Sequence, residues 1–279
     1  MLALAAVMTS CSGGKSEADG MTKEEKAEKR VKDSLALKVG VMQTIDCLPA
    51  FLAKDEGIFD SLGVDVRLYH YTSMLDYDAA LAKKRISGVY SDTKYVERLN
   101  KAVGVELERM KTFDSRWQLV ANKRSRLHNV KQLEDKIVAV TRYSVADFLS
   151  NRMADSVKLG ADKMFKVQVN DVDTRLKMLL NSEIDAAWLP EPQASVATAL
   201  GCNVLASSDS RGERFSVLAF TSASLADKRV KSQIDLFLKG CEVAEQRIKK
   251  GGEKYYVGLV KRYYKYEQKT RGNGKRRTN

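Results

Sequence analysis

Apolar and polar positions along this chain fall into two blocks in which short apolar runs alternate with longer amphipathic ones. From Leu37 the run LKVGVM reads as a buried strand, PAFLAKDEG as a helix, VDVRLYHY as a strand, SMLDYDAALAKK as a helix and ISGVY as a third strand. Short apolar strands followed by helical periods are the mark of parallel βαβ units. The stretch from Val105 to Ala121 reads as two further strands that close the block.

The second block repeats the pattern. KIVAVTR is a continuous apolar strand, SVADFLSNRMADSVKLG a helix, FKVQV a strand, DVDTRLKMLLNS a helix and IDAAWL a strand; PEPQASVATALG and NVLAS add a helix and a short strand. After the polar turn SSDSRGER, FSVLAFT is another strand and the chain is helical to about Tyr266. That last helical part has no sheet of its own, so it is expected to pack back on the first block. The expected organisation is a discontinuous first lobe, residues 36–120 plus 215–266, and a continuous second lobe, 121–214. Two connecting segments near Val120 and Phe215 would then form a hinge.

The flanks differ from this body. Leu2 to Met8 is an apolar run too short to span a bilayer, followed by Thr9, Ser10 and Cys11 and a Gly-rich exit. It reads as the end of a secretory signal, residues 1–10, closing on a lipoprotein-type box whose Cys11 carries the lipid. Residues 12–35 carry six acidic and six basic side chains and few apolar ones. The segment 11–35 is therefore read as a hydrated tether, transiently helical around KEEKAEKR.

Charge adds little to this picture. The net charge is +12, but from Arg262 onward seven Lys or Arg face only Glu267, so half the excess sits at the end of the chain. Residues 267–279 are read as a disordered basic tail, a solvated end. No basic stripe interleaved with aromatic residues runs through the body, which argues against nucleic-acid binding. The two histidines, His70 and His128, stand apart from each other and from any Cys at ligand spacing, so no metal site or His-based triad is expected. Cys47, Cys202 and Cys241 read as buried free thiols, although an exported location would permit one disulfide among them.

The segment LKVGVMQTIDCLPAFLAKDEGIFDSLGVDV carries Pro49 near a helix start, then Ala53-Lys54, Gly57-x-Phe59 and Gly63-x-x-Val66. Each has a local reason: Pro49 suits a first helical turn, Gly57 a left-handed helix end, Phe59 a core cover, and Gly63 the turn into a strand. In this order, with Ser91-Asp92, LEDKIVAV and SEIDAAWLPEP further on, they resemble the nitrate, sulfonate, taurine and thiamine-precursor group of periplasmic substrate-binding proteins of ABC transporters. The resemblance covers residues 36 to 260 and implies the type II periplasmic binding fold: two α/β lobes, each a mainly parallel sheet flanked by helices, with a ligand cleft between. It also implies a lipid-anchored, extracytoplasmic monomer that delivers a small polar solute to a membrane permease and needs no cofactor or metal. Two other readings stay open on the same fold: an enzyme of the menaquinone-pathway or thiamine-pyrimidine type, and a sensor domain. The chain shows no nucleophile with an evident base, which counts against the enzyme.

Ligands of open α/β sheets bind beyond the carboxyl ends of the strands, and in two-lobe proteins both sets of ends face one cleft. That rule selects Gln43, Thr44, Asp46, Cys47, Ser91 and Asp92 from the first lobe, and Tyr143, Ser144, Trp188 and Glu191 from the second. Ser144 opens a helix whose free amides suit an anion, although Ser144 can equally cap that helix itself, with Asp147 completing a capping box. Asp171 reads as a helix cap rather than a ligand contact. The Trp188 ring would stack on a planar or cationic group. Asp46, Asp92 and Glu191 would suit amine or ring N–H donors, so a zwitterion such as an aminosulfonate, or an aminopyrimidine, satisfies both sets of groups.

Overall fold

A computed structural model describes residues 22–102, 104–160, 163–208 and 213–264 of the 279-residue chain. Residues up to Ala36 and those from Leu37 onward form separate compact units. In the first, helix α1 (Lys23–Leu35) starts on a reciprocal capping box: the Thr22 amide donates to Glu25 Oε2 at 2.7 Å, and the Glu25 amide donates to Thr22 Oγ1 at 3.2 Å. The expected tether is thus helical from Lys23. The signal segment, Cys11 and the basic tail lie outside the described residues.

The second unit holds β1 (Leu37–Val41), α2 (Leu48–Asp55), α3 (Ile58–Ser61), β2 (Val66–His70), α4 (Leu75–Ala82), β3 (Gly88–Asp92), α5 (Thr93–Ala102) and β4 (Leu107–Phe113). It continues through β5 (Trp117–Ala121), β6 (Ile137–Val140), α6 (Val145–Ser156), β7 (Phe165–Gln168), α7 (Val172–Asn181), β8 (Ala186–Pro190) and α8 (Gln193–Ala199). Last come β9 (Asn203–Ser207), β10 (Ser216–Thr221), α9 (Ser222–Ala226) and α10 (Lys228–Tyr263), the last interrupted at Gly252. Gly57 and Gly63 adopt φ of +65° and +75°, as the turn reading requires.

Two five-stranded mixed sheets result, ordered β2-β1-β3-β10-β4 and β7-β6-β8-β5-β9. Each has one reversed strand: β10 runs antiparallel to β3 and β4, and β5 runs antiparallel to β8 and β9. Both reversed strands are crossover strands, entering one sheet directly after the chain leaves the other. This corrects the expected boundary at residue 120. Trp117–Ala121 belongs to the second sheet, so the first crossover lies at residues 114–116. The two crossovers run side by side, joined by a hydrogen bond between the Ser115 and Ser216 hydroxyls and by Arg214 Nε on Asp114 Oδ1 at 2.7 Å.

Helix α10 packs against the first sheet. Ile234, Phe237, Cys241 and Ala244 join Leu52, Phe59, Val66 and Phe220 in one buried cluster. A second cluster, around Leu119, Val138, Leu149, Met153 and Trp188, fills one face of the second sheet. A third contains residues of both sheets, among them Met42, Met74, Val89, Val120, Ala139, Val172 and Leu176. The helix α5 was not expected. Its buried Tyr95, Val96 and Leu99 make a narrow stripe in an otherwise polar segment. No described helix is long and apolar enough to cross a membrane.

Candidate functional site

The carboxyl ends of β1, β3 and β8 converge where the two sheets meet, and the reversed strands bring their first residues to the same edge. Ser216 opens β10 opposite Asp92, and Trp117 opens β5 opposite Pro190. Between them lies a cavity of about 30 Å³ lined by Met42, Thr44, Asp46, Met74, Tyr90, Ser91, Asp92 and Ser216 from the first lobe and Trp117, Val172 and Pro190 from the second. That volume is roughly the space one water occupies. A larger concavity of about 420 Å³ lies beside the edge strand β2, lined by Phe51, Lys54, Arg67, Tyr69, His70 and Tyr263 among others. It is an open groove of the first lobe alone. The smaller cavity, shared by both lobes, is the better candidate for a cleft that closes on a ligand.

Two carboxyl groups dominate the cavity. Asp92 is 1 % exposed; its Oδ1 accepts from the Tyr95 amide at 2.7 Å, capping α5, and its Oδ2 accepts from the Val145 amide at 3.1 Å. The second bond crosses between lobes and lands on the first amide of α6. Burial pushes the Asp92 carboxyl up to about 7, against the pull of the amides of Tyr95, Val145 and Lys94. Asp46, 9 % exposed, is likewise raised by burial, while hydrogen bonds from the Thr44 and Ser216 hydroxyls pull the other way. Among the described residues, no Lys, Arg or His lines the cavity.

A fixed cation stands behind the second lobe's edge. Arg175 on α7 is 1 % exposed and, among the described residues, bonds neutral acceptors: Nε and Nη2 donate to Val169 O at 3.2 and 2.9 Å, Nη1 to Trp188 O at 2.9 Å, and Nη2 to Thr141 Oγ1 at 2.6 Å. Thr141 and Val169 lie just beyond the ends of β6 and β7, and Trp188 lies two residues before the end of β8, so one guanidinium ties the end regions of three strands together. Desolvation lowers its pKa to about 10, partly offset by Asp171 and Asp92. On an amphipathic helix such a residue reads as part of the polar face, and the sequence carried no signal for it.

Of the residues selected from the sequence, Thr44, Asp46, Ser91 and Asp92 come together in the cavity. The others are placed elsewhere. Cys47 is fully buried in the first lobe's core, its thiol pushed well up by desolvation. Trp188 is buried in the second lobe's core, because β8 runs on to Pro190 and leaves the ring two residues inside the strand. Trp117, together with Tyr90 of the first lobe, supplies the aromatic surface at the cavity. Tyr143 is 59 % exposed, with the Arg98 guanidinium 5.6 Å from its ring. Ser144 is a helix cap: its Oγ accepts from the Ala146 amide at 3.1 Å and donates to Thr141 O at 2.7 Å. Asp147 accepts from the Tyr143 amide rather than from Ser144, so the expected box is incomplete. Asp171 caps α7, accepting from the Thr174 amide at 2.6 Å.

Glu191 and Gln43 act between lobes through their backbones. The Ile45 amide donates to Glu191 O at 3.0 Å, and Gln193 Nε2 donates to Gln43 O at 2.8 Å. The Glu191 carboxylate is engaged locally, accepting from Gln118 Nε2 at 2.9 Å, Arg116 Nη2 at 3.3 Å and the Ser195 amide at 3.1 Å. Lys94 of α5 adds a contact at the rim, its ammonium 4.6 Å from the Phe148 ring on α6. Cys47, Cys202 and Cys241 are free and buried. Among the described residues, no group of three or more His, Cys, Asp or Glu is placed to hold a metal.

The model of the NlpA lipoprotein family matches residues 37–214. No curated protein matches the chain. Among solved structures it is similar to the ligand-binding component of an ABC-type import system from Staphylococcus aureus with zinc bound, at 16% identity and a TM-score of 0.69, covering 83% of this chain and 80% of that one. The alkanesulfonate-binding protein SsuA from Xanthomonas axonopodis pv. citri, bound to MOPS, follows at 15% identity and 0.67, covering 82% and 78%. The periplasmic nitrate-binding protein NrtA from Synechocystis PCC 6803 is similar at 11% identity and 0.66, covering 76% and 61%. At these identities the likeness is one of fold: two mixed sheets flanked by helices, as in periplasmic binding proteins.

Proposed function

The chain belongs to the NlpA lipoprotein family, and from that premise we propose that it is the extracytoplasmic solute-binding component of an ABC importer, anchored by lipid on Cys11. It captures a small polar organic solute between its lobes and presents the closed form to a membrane permease. The observation that carries this reading is the cavity itself, lined from both lobes at the strand ends and too small in the closed arrangement for an organic solute. Entry then requires the lobes to part about the paired crossovers at Ser115 and Ser216. Closure over a bound solute is favoured only as far as the solute's contacts with both lobes exceed those it makes with an open one.

The solute class follows from the lining. Asp46, Asp92 and Ser91 offer acceptors, the methionines, Val172 and Pro190 offer apolar surface, and Trp117 offers a ring. An aminosulfonate of the taurine kind or an aminopyrimidine of the thiamine-precursor kind carries N–H donors for the carboxyl groups, and the pyrimidine adds a planar face for Trp117. The test is to purify the protein from its own cells, identify the retained solute by mass spectrometry, and locate Cys11 in membrane fractions. A diacylated Cys11 and a nitrogen-bearing solute in one-to-one ratio support the proposal. An unmodified N-terminus in the soluble fraction, with no solute retained, overturns it.

A further inference from the structure

Helix α6 is a twelve-residue helix whose first amides face the cleft edge. Such an end ordinarily receives an anion, through unpaired N–H groups and the positive pole of the helix dipole. Here both of its leading donors are already used. Ser144 Oγ takes the Ala146 amide, and Asp92, reaching over from the opposite lobe, takes the Val145 amide at 3.1 Å. The same Asp92 lines the cavity beside Asp46, with no basic side chain among the described residues of the lining. A free sulfate, nitrate or sulfonate entering here would meet two buried carboxyl groups and an α6 end whose first two amides are already taken.

Trp117 supplies an independent sign of what does enter. It lines the cavity at 5 % exposure, and its buried indole N–H has no acceptor among the described residues. A buried donor left unpaired costs free energy that a ligand oxygen would recover. The lining therefore suits a ligand that donates N–H to carboxyl groups and offers an acceptor oxygen alongside.

We propose that Asp92 sets the charge preference of the cleft: by filling the anion-accepting end of α6 from the opposite lobe, it excludes anionic groups and selects a solute whose cleft-bound group is an ammonium or protonated ring nitrogen. The inference rests on the solute-binding reading above and makes it more specific. It assigns Asp92 a role that its neighbour Ser91, on the same strand end, does not share.

Asp92→Ser separates the alternatives. A serine still caps α5 at this position, whereas its shorter side chain does not reach Val145 and leaves that amide free. Val145→Pro is the complementary change. It deletes that N–H at the first helical position, where proline is tolerated, at the cost of repacking the buried Val145 side chain, and the preceding Ser144 is extended at φ −91° and ψ 175°, as a following proline requires. Binding of ethylammonium, taurine, ethanesulfonate and inorganic sulfate is measured at pH 8 by titration calorimetry on the full chain.

The wild type is expected to bind ethylammonium and taurine at least tenfold more tightly than ethanesulfonate or sulfate. Asp92→Ser is expected to gain at least tenfold in sulfate affinity, and Asp92→Ser with Val145→Pro to lose that gain. Sulfate or ethanesulfonate binding to the wild type as tightly as the amines overturns the inference and leaves the solute-binding reading standing. So does an Asp92→Ser variant that binds amines and gains nothing for sulfate. Silence from every probe on every variant overturns the solute-binding reading itself.

Discussion

Replacing Arg175 by methionine removes the guanidinium that joins three strand ends while keeping an unbranched apolar stem of similar reach. Three acceptors lose their donor: Val169 O, Trp188 O and Thr141 Oγ1. A buried acceptor left without a donor costs about 1–3 kcal/mol, so the gross loss is roughly 3–9 kcal/mol. Against this, burial already lowers the Arg175 pKa from 12.5 to about 10. At about 1.4 kcal/mol per unit, that is a cost of about 3 kcal/mol that the neutral side chain no longer bears. The net expectation is a loss of about 3 kcal/mol, a large share of the stability of an ordinary domain. Arg175→Lys is expected to lose at least as much, because an ammonium keeps the desolvation cost and cannot reach the same acceptors in a planar fork. Urea unfolding followed by tryptophan fluorescence reads the effect where it arises, since Trp117 and Trp188 both sit in the second sheet. An Arg175→Met protein within about 0.5 kcal/mol of wild type would refute the claim that this side chain holds the strand ends.

Three further outcomes follow from the same geometry. The carboxyl of Asp92 is raised to about 7 and that of Asp46 is also raised, both by burial, so the folded state holds protons that the unfolded chain releases above about pH 4. Their contribution to stability is therefore present at low pH and is lost as pH rises through about 7; urea midpoints between pH 5 and pH 8 should fall less steeply for Asp92→Asn than for wild type, and parallel profiles would contradict this. Solute-induced fluorescence change should survive Trp188→Phe and vanish in Trp117→Phe, because only Trp117 lines the cavity; the reverse result would return Trp188 to the cleft. In Gly240→Ala the new methyl group would stand 2.7 Å from the Phe59 ring, which is itself stacked on Phe237 at 5.2 Å. A loss of about 1–3 kcal/mol is expected by thermal or urea unfolding, in spite of alanine's better helix propensity.

The strands and most helices were legible because their signal is local: an apolar run of four to seven residues, a turn, a helical period. What the sequence hid was decided by pairing between distant segments. Trp117–Ala121 reads as a strand, yet nothing within it says that it joins Ala186–Pro190 rather than its neighbour Leu107–Phe113. The site was half visible for a related reason. Looking beyond the carboxyl ends of strands finds Thr44, Asp46, Ser91 and Asp92, but a reversed strand offers its first residue to the same edge, and so Trp117 and Ser216 escape the rule. Cys47 and Trp188 were selected by position along the chain, and the direction of their side chains, fixed by packing, put them in the two cores. Arg175 escaped because a charge on an amphipathic helix normally marks the wet face, whereas here three strand ends supply the acceptors that let it be buried.

The most direct test of the account is the position of the solute in a crystal structure of the protein purified from its own cells with that solute retained. The account predicts density between Asp46, Asp92 and Trp117, with nitrogen donors on the two carboxyl groups and contacts from both lobes. Solute bound instead in the outer groove beside Phe51, His70 and Tyr263, with the inter-lobe cavity unchanged, would contradict it.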